Sequence, residues 1–241
     1  MAKPRNEEDY GKDADRKEEL GRSERLAFTG RIAASIAHEI RNPLGNVSMS
    51  VQQLKDAFTK DSPWAKHIEV IIRNTDRINF LIAELLNCAR PPKLNIQAHD
   101  IHVVLESILD SLKAKFDSKR IKVSRNFNSQ LLKINVDKEQ IARAFSNMMI
   151  NSIEAMPNGG RMTVVTKSVG NFFVLRIQDT GEGIPEEDII RIFDPFFSTK
   201  ASGVGLGLSM TYGIVVSHGG TIGVESKWKE GTVFTISLPG K

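Results

Sequence analysis

The consecutive prolines Pro91-Pro92 divide this chain of 241 residues into two halves with different hydrophobic periods. Proline lacks a backbone donor and pushes the residue before it out of the helical region, so no helix runs through that point. Upstream, Ile32, Ile36, Ile40, Leu44, Val47, Val51, Leu54 and Phe58 recur at spacings of three and four, and Ile68, Ile71, Thr75, Ile78, Ile82, Leu85 and Ala89 repeat the pattern. That period is the signature of amphipathic helices. Between the stripes, Ser62-Pro63 supplies a cap and a first helical residue, so residues 25–91 read as a helical hairpin. Two helices alone leave part of each stripe uncovered. A pair of hairpins meeting as a four-helix bundle covers them, which predicts a homodimer.

Downstream, residues 92–241 mix helical and alternating patterns. Asp100 is placed to cap a helix to about Ser118, strands are expected near 119–127 and 132–136, and a helix over 137–156. Residues 161–169 and 171–178 alternate around Gly170-Asn171, and 221–226 pair with 232–238 around Lys229-Glu230-Gly231. Both read as hairpins, giving an antiparallel-rich sheet covered by helices.

Residues 1–24 read as a charged linker, because the first 25 residues mix seven basic with eight acidic side chains and lack an apolar stretch. They form neither a secretory signal nor a basic arm for nucleic acid. No apolar run approaches the roughly 18 residues needed to span a bilayer, so membrane insertion is not expected. The single cysteine, Cys88, excludes an intrachain disulfide and sits in the second apolar stripe, where it reads as core packing. A cytoplasmic location follows as the expectation.

The polar residues that break these patterns carry the chemistry. His38 lies two positions from both Ile36 and Ile40, about 200° around an ideal helix, so it belongs to the face away from the stripe. A neutral imidazole can attack through Nε2 when Nδ1 carries the proton, and Glu39 is an acid able to accept that proton. Asn42 is four residues on, on the same helix face, where its amide could orient a water. Pro43 frees the Glu39 carbonyl and bends the helix one turn after His38. Asn147 and Asn151 form another i, i+4 pair, presenting two amide oxygens suited to a hard cation such as Mg²⁺. In Asp179-Thr180-Gly181-Glu182-Gly183, a carboxylate at a strand end can accept an N–H from a group held against close-approaching backbone. Lys200 and the alternating Gly203, Gly205 and Gly207 lead into a helix from about Leu206 to His218, where free amides and a helix N-terminus suit a polyphosphate. The segment from Asp194 to Gly207 reads as a mobile lid. Phe193, Phe196 and Phe197 read as hinge packing, and His218 as a cap or packing residue, not a ligand.

In this order, His38 to Leu44, Asn147 to Asn151, Asp179 to Gly183, Phe193 to Phe197 and Gly203 to Gly207 resemble the H, N, G1, F and G2 boxes of the sensor histidine kinases of two-component signalling. The resemblance runs from about Arg22 to Pro239. It implies a dimerisation and phosphotransfer hairpin (25–91) followed by a catalytic α/β sandwich of the Bergerat, or GHKL, type (92–241). It implies ATP and Mg²⁺ as cofactors, with the metal on Asn151 assisted by Asn147. It assigns Asp179 to the adenine 6-amino group and Thr232 to a water-assisted contact. Gly181, Gly183, Ile184, Lys200, Gly203, Gly205, Leu206 and Gly207 complete the implied nucleotide site. His38 would accept the γ-phosphoryl group and pass it to an aspartate of a response regulator, with Glu39 and Asn42 assisting and a phosphatase activity also implied.

Asn147 separates this chain from relatives of the same fold that hydrolyse ATP, which carry a glutamate general base at the matching position. Val204 departs from the family's Thr or Ser there. Glu154 stands where the largest branch has Lys, and the neighbouring residues resemble the nitrogen-regulation-type branch. Two other readings stay open: an ATP-gated conformational ATPase, and a kinase-silent binding or phosphatase scaffold. Also open are an upstream sensor domain or protein, whether the chain is a core of something longer, and whether transfer occurs within or across the dimer.

Overall fold

The computed structural model describes residues 40, 43–55, 58, 62–89, 93–128, 133–200 and 205–240. His38, Glu39, Asn42 and Gly203 lie outside the described residues, as does the Cys88 side chain. The chain divides into two compact units, Met1–Pro91 and Pro92–Lys241.

In the first unit, residues 43–55 (α1) and Ala65–Ala89 (α2) are helical. The regular part of α2 starts two residues after Pro63. Ser62 still serves the start, its hydroxyl accepting the Trp64 N–H at 3.3 Å and its carbonyl the Ala65 N–H at 3.0 Å. The two stripes are each half covered. Leu44, Val51, Ile68, Thr75 and Ile82 are buried, whereas Ile40, Val47, Leu54, Phe58, Ile71 and Ile78 remain exposed. Thr75 turns its hydroxyl to the Ile71 carbonyl at 2.8 Å, which lets a polar residue sit in the apolar face.

The second unit is a mixed sheet with helices over one face. Its strands are β2 (Ile121–Asn126), β4 (Gly160–Val169), β5 (Phe172–Asp179), β6 (Thr221–Lys227) and β7 (Gly231–Pro239), in the order β2-β4-β5-β7-β6. Among the strands of this sheet only β2 and β4 are parallel, and α4 (Lys138–Glu154) lies in the crossover between them. Along β5, Phe173, Leu175, Ile177 and Asp179 are buried and alternate with residues facing outward; β7 repeats this with Thr232, Phe234, Ile236 and Leu238. A half-buried sheet needs one apolar face, and these residues supply it. Helices α3 (Ile101–Ser118), α4 (Lys138–Glu154) and α6 (Gly207–Ser217) complete the core with Leu105, Leu109, Ile141, Phe145, Met149 and Val215. Two elements go beyond the sequence expectation: a second sheet in which β1 (Gln97–His99) pairs antiparallel with β3 (Ile134–Val136), and a single turn, α5 (Glu186–Ile189).

Asp137 joins three parts of this unit. One carboxylate oxygen accepts the Glu139 and Gln140 N–H groups, each at 3.1 Å, and caps α4. The other accepts the Asn95 N–H at 2.9 Å, anchoring the segment that leads into β1. The Asp137 N–H donates to His218 Nε2 at 3.0 Å, and His218 Nδ1 lies 2.8 Å from the Ile214 carbonyl. A carbonyl only accepts, so Nδ1 carries the proton and Nε2 is the acceptor. His218 therefore fastens the end of α6 to the start of α4.

Burial raises the Asp137 pKa, but the N–H groups of Asn95, Gln140 and Glu139 outweigh it and hold the carboxyl below its ordinary value. A lowered carboxyl pKa contributes stability above the unfolded-state value and loses it as pH falls through the folded one. Asp137→Ala is expected to cost about 1–2 kcal/mol in urea denaturation near neutral pH. It should also flatten the loss of stability that the unaltered chain shows on acidification.

Candidate functional site

The end of β5 brings the G1 residues against α4 and β7. Asp179 is 3% exposed and accepts three hydrogen bonds. Oδ1 takes the Gly181 N–H at 2.9 Å and the Thr232 N–H at 3.2 Å, and Oδ2 takes the Ser152 hydroxyl at 2.8 Å. These donors come from the loop after β5, from β7 and from inside α4. Burial pushes the Asp179 carboxyl up despite the opposing bonds from Gly181, Ser152 and Thr232 and the positive charge of Lys200.

The loop beyond Asp179 is fixed by backbone. Thr180 N–H donates to the Arg161 carbonyl at 3.1 Å, and Glu182 N–H to the Ala155 carbonyl at 3.0 Å. Gly181 is close to α4: a Cβ there would stand 2.7 Å from the Ala155 carbonyl oxygen. Ile184 N–H donates to Ser226 Oγ at 2.8 Å, and that hydroxyl donates to the Gly231 carbonyl at 2.9 Å. Ser226 has one proton, so Thr232 Oγ1, 2.9 Å away, is the donor in their mutual bond. Ile184 and Thr232 are thereby tied to one serine at the β6–β7 end of the sheet.

Asn147 and Asn151 lie half-buried on α4. The Asn147 amide nitrogen donates to the Gly207 carbonyl at 3.4 Å, bridging α4 to the start of α6 and leaving the amide oxygen as an acceptor. The Thr211 hydroxyl shares that carbonyl at 2.9 Å. The Asn151 side chain has no hydrogen-bond partner among the described residues, so its amide oxygen too is available. Ser152, next to Asn151, connects this polar face directly to Asp179.

The segment between β5 and α6 folds back on itself. Phe196 N–H donates to the Gly205 carbonyl at 3.0 Å, tying Phe196 to the residues just before α6. Phe196 has φ 66° and is 53% exposed, an uncommon backbone region for a bulky residue. Phe193 is buried with its ring 5.8 Å from Tyr212, and the Arg191 guanidinium lies 4.6 Å from the Phe197 ring centroid. Phe193 and Phe197 thus have the packing role expected of the F-box aromatics, whereas Phe196 is largely free of it. Lys200 Nζ meets Glu154 Oε2 at 2.6 Å, so the cation expected near phosphate stands beside α4 on a partly exposed ion pair. Leu206 is buried at the N-terminus of α6.

Residues 29–93 match the family described as "His Kinase A (phospho-acceptor) domain", and residues 136–241 match "Histidine kinase-, DNA gyrase B-, and HSP90-like ATPase". The chain is 34% identical over 220 residues to sporulation kinase C of Bacillus subtilis (strain 168), covering 91% of this chain and 51% of that one. It is 32% identical over 222 residues to sensor histidine kinase ZraS of Escherichia coli (strain K12), covering 92% and 48%. The chain belongs to the sensor histidine kinase family. It spans about half the length of the curated relatives it matches.

Solved histidine kinases share the fold. Full-length ShkA in complex with AMPPNP superposes with a TM-score of 0.76 at 21% identity, over 87% of this chain and 45% of that one. ThkA in complex with the response regulator protein TrrA gives 0.65 at 26% identity, over 94% and 66%.

Within this histidine kinase chain the structure gathers Asn147, Asn151, Asp179, Gly181, Leu206, Gly207 and Thr232 around the adjoining ends of α4, β5, β7 and α6. Gly183 and Ile184 border them beside the β6–β7 turn. Ser152, Ser226 and Glu154 were missed as participants by sequence reasoning.

Gly205 has φ +70°, and a Cβ there would stand 2.5 Å from the Phe197 carbonyl oxygen. Gly205→Ala is therefore strained by conformation and by contact. Its expected result is faster hydrogen exchange of the Phe196 amide, as the Phe196–Gly205 bond opens, with little change at Phe173 in the core.

Proposed function

We propose that this chain is an ATP-dependent protein-histidine kinase that phosphorylates itself on His38 and passes the phosphoryl group to an aspartate of a response regulator. The observation that carries the reading is the polar cluster of the second unit. A buried carboxylate at a strand end is joined through Ser152 to a helix face with two asparagines, and that face is bridged to a glycine-started helix. Asp179 offers an acceptor for the adenine 6-amino group, Thr232 stands beside it, and Gly181, Gly183 and Ile184 form the wall of the base site. Lys200, Gly203, Gly205, Leu206 and Gly207 hold the triphosphate at the start of α6.

The donor set fits Mg²⁺ carried by nucleotide. No three His, Cys, Asp or Glu side chains stand together to hold a metal among the described residues, whereas Asn151 and Asn147 provide neutral amide oxygens. When bound, Mg²⁺ neutralises phosphate charge. Asn147 cannot take a proton, which favours transfer to a nucleophile brought from elsewhere over hydrolysis. Glu39 would serve His38 as the proton acceptor, and positioning of the two reactants would supply much of the rate, about 7–11 kcal/mol at best.

The exposed part of both apolar stripes in a single protomer supports a homodimer through residues 25–91, with 92–241 as the catalytic domain and 1–24 as its charged entry. A response regulator is the partner by analogy with ThkA, whose complex with TrrA is of the same fold. Asn42 would orient water for dephosphorylation of that partner. Among the described residues no helix is long and apolar enough to cross a membrane, and a cytoplasmic site of action is part of the proposal.

Incubation with Mg²⁺ and γ-labelled ATP is expected to give acid-labile, alkali-stable label that His38→Ala abolishes. Label that persists in that variant would contradict the assignment of His38. Absence of label despite ATP binding would favour a kinase-silent scaffold, and sustained hydrolysis independent of His38 an ATP-gated ATPase. Asp179→Asn preserves size and an oxygen for the Gly181 and Thr232 N–H groups. It is expected to weaken ATP binding at least about tenfold in calorimetry while leaving the fold intact.

A further inference from the structure

Ser152 occupies an unusual place for a helical serine. Ser111, Thr211 and Ser217 turn their hydroxyls to carbonyls three or four residues earlier in their own helices. Ser152 is 1% exposed, and its hydroxyl reaches across to Asp179 Oδ2 at 2.8 Å. An ionised carboxylate has about four acceptor positions, two on each oxygen. Backbone N–H groups from Gly181 and Thr232 occupy both on Oδ1, and Ser152 occupies one on Oδ2. One position is left. Because Ser152 donates its only proton, Oδ2 is kept as an acceptor and its orientation is fixed by a second anchor.

We propose that Ser152 is a positioning residue for base selection, aiming the last acceptor position of Asp179 at the 6-amino group of a purine. The proposal rests on the reading of this site as an ATP site with Asp179 as the base contact. Without the serine hydroxyl, Oδ2 loses its one donor among the described residues, and the carboxylate can turn or bind water in place of the amine. Discrimination between purines then weakens, although the triphosphate contacts are untouched.

The test compares ATP with purine riboside triphosphate, which carries hydrogen where ATP carries the 6-amino group. Both bind through the same phosphates and ribose, so a variant that merely loosens the cleft weakens both alike. The ratio of the two dissociation constants isolates the amino contact. In calorimetry on the full chain at fixed Mg²⁺ and salt, the unaltered protein is expected to prefer ATP about tenfold or more. Ser152→Ala should reduce that preference to about threefold or less, and Ser152→Cys, which keeps the volume but donates weakly, should fall between. A preference equal to that of the unaltered chain in a cooperatively melting Ser152→Ala would overturn the proposal and leave Asp179 as the base contact. If Ser152→Ala does not fold, Ser152→Cys decides in the same way, an undiminished preference overturning the proposal. Equal binding of both nucleotides by the unaltered chain would remove the base contact itself, and the proposal with it.

Discussion

A buried carboxylate held by donors from separate elements is the constraint on which the second unit turns. Asp179 ends β5, and its three bonds require α4, β7 and the Gly181 loop to meet at one point. An ionised group removed from water is costly unless its acceptor positions are filled. Here they are filled nearly to capacity, yet burial still leaves the carboxyl pKa raised. The sign matters. A carboxyl raised on folding makes the folded state less stable as pH rises from the unfolded pKa through the folded one. In its ionised form the buried side chain is a net burden on the fold, which a donor arriving on the remaining acceptor position would relieve. A ligand amino group is such a donor.

The helices extend that constraint along the unit. α4 carries Ser152 toward Asp179, Asn147 toward Gly207, and its cap Asp137 toward both Asn95 and His218. α6 starts beside Asn147 and ends on His218. Both helices are thus held near each end by polar bonds. Among the described residues between α5 and α6, the Phe196 N–H bonds the Gly205 carbonyl and Lys200 pairs with Glu154 at a partly exposed position. Exposed pairs of this kind contribute little, about 0–1 kcal/mol.

Much of this was legible from local signals. Strand alternation located β4, β5, β6 and β7, the Gly170-Asn171 and Lys229-Glu230-Gly231 turns located their hairpins, and Asp100 marked the start of α3. His218 has the capping role that its place at a helix end before two glycines suggests, bonding Asp137 and Ile214. β3 falls within the strand expected near 132–136, but β1 and its pairing with β3 escaped, since three residues are too few to show a period and the pairing is set by distant register. Ser152 escaped for a related reason: its partner is 27 residues away, and a small polar residue in a helix carries no pattern of its own. The helical stripes were legible as stripes, but which positions stay exposed in one protomer, such as Ile71 and Ile78, depends on helix packing that spacing alone does not give.

The most direct test is a crystal structure of the full chain with Mg²⁺ and a non-hydrolysable ATP analogue. The adenine 6-amino nitrogen is expected within hydrogen-bonding distance of Asp179 Oδ2, with Ser152 still donating to that oxygen and the phosphates between the Asn147–Asn151 face and the start of α6. A nucleotide bound with its base away from Asp179, or with Asp179 turned from Ser152 to meet it, would contradict the account.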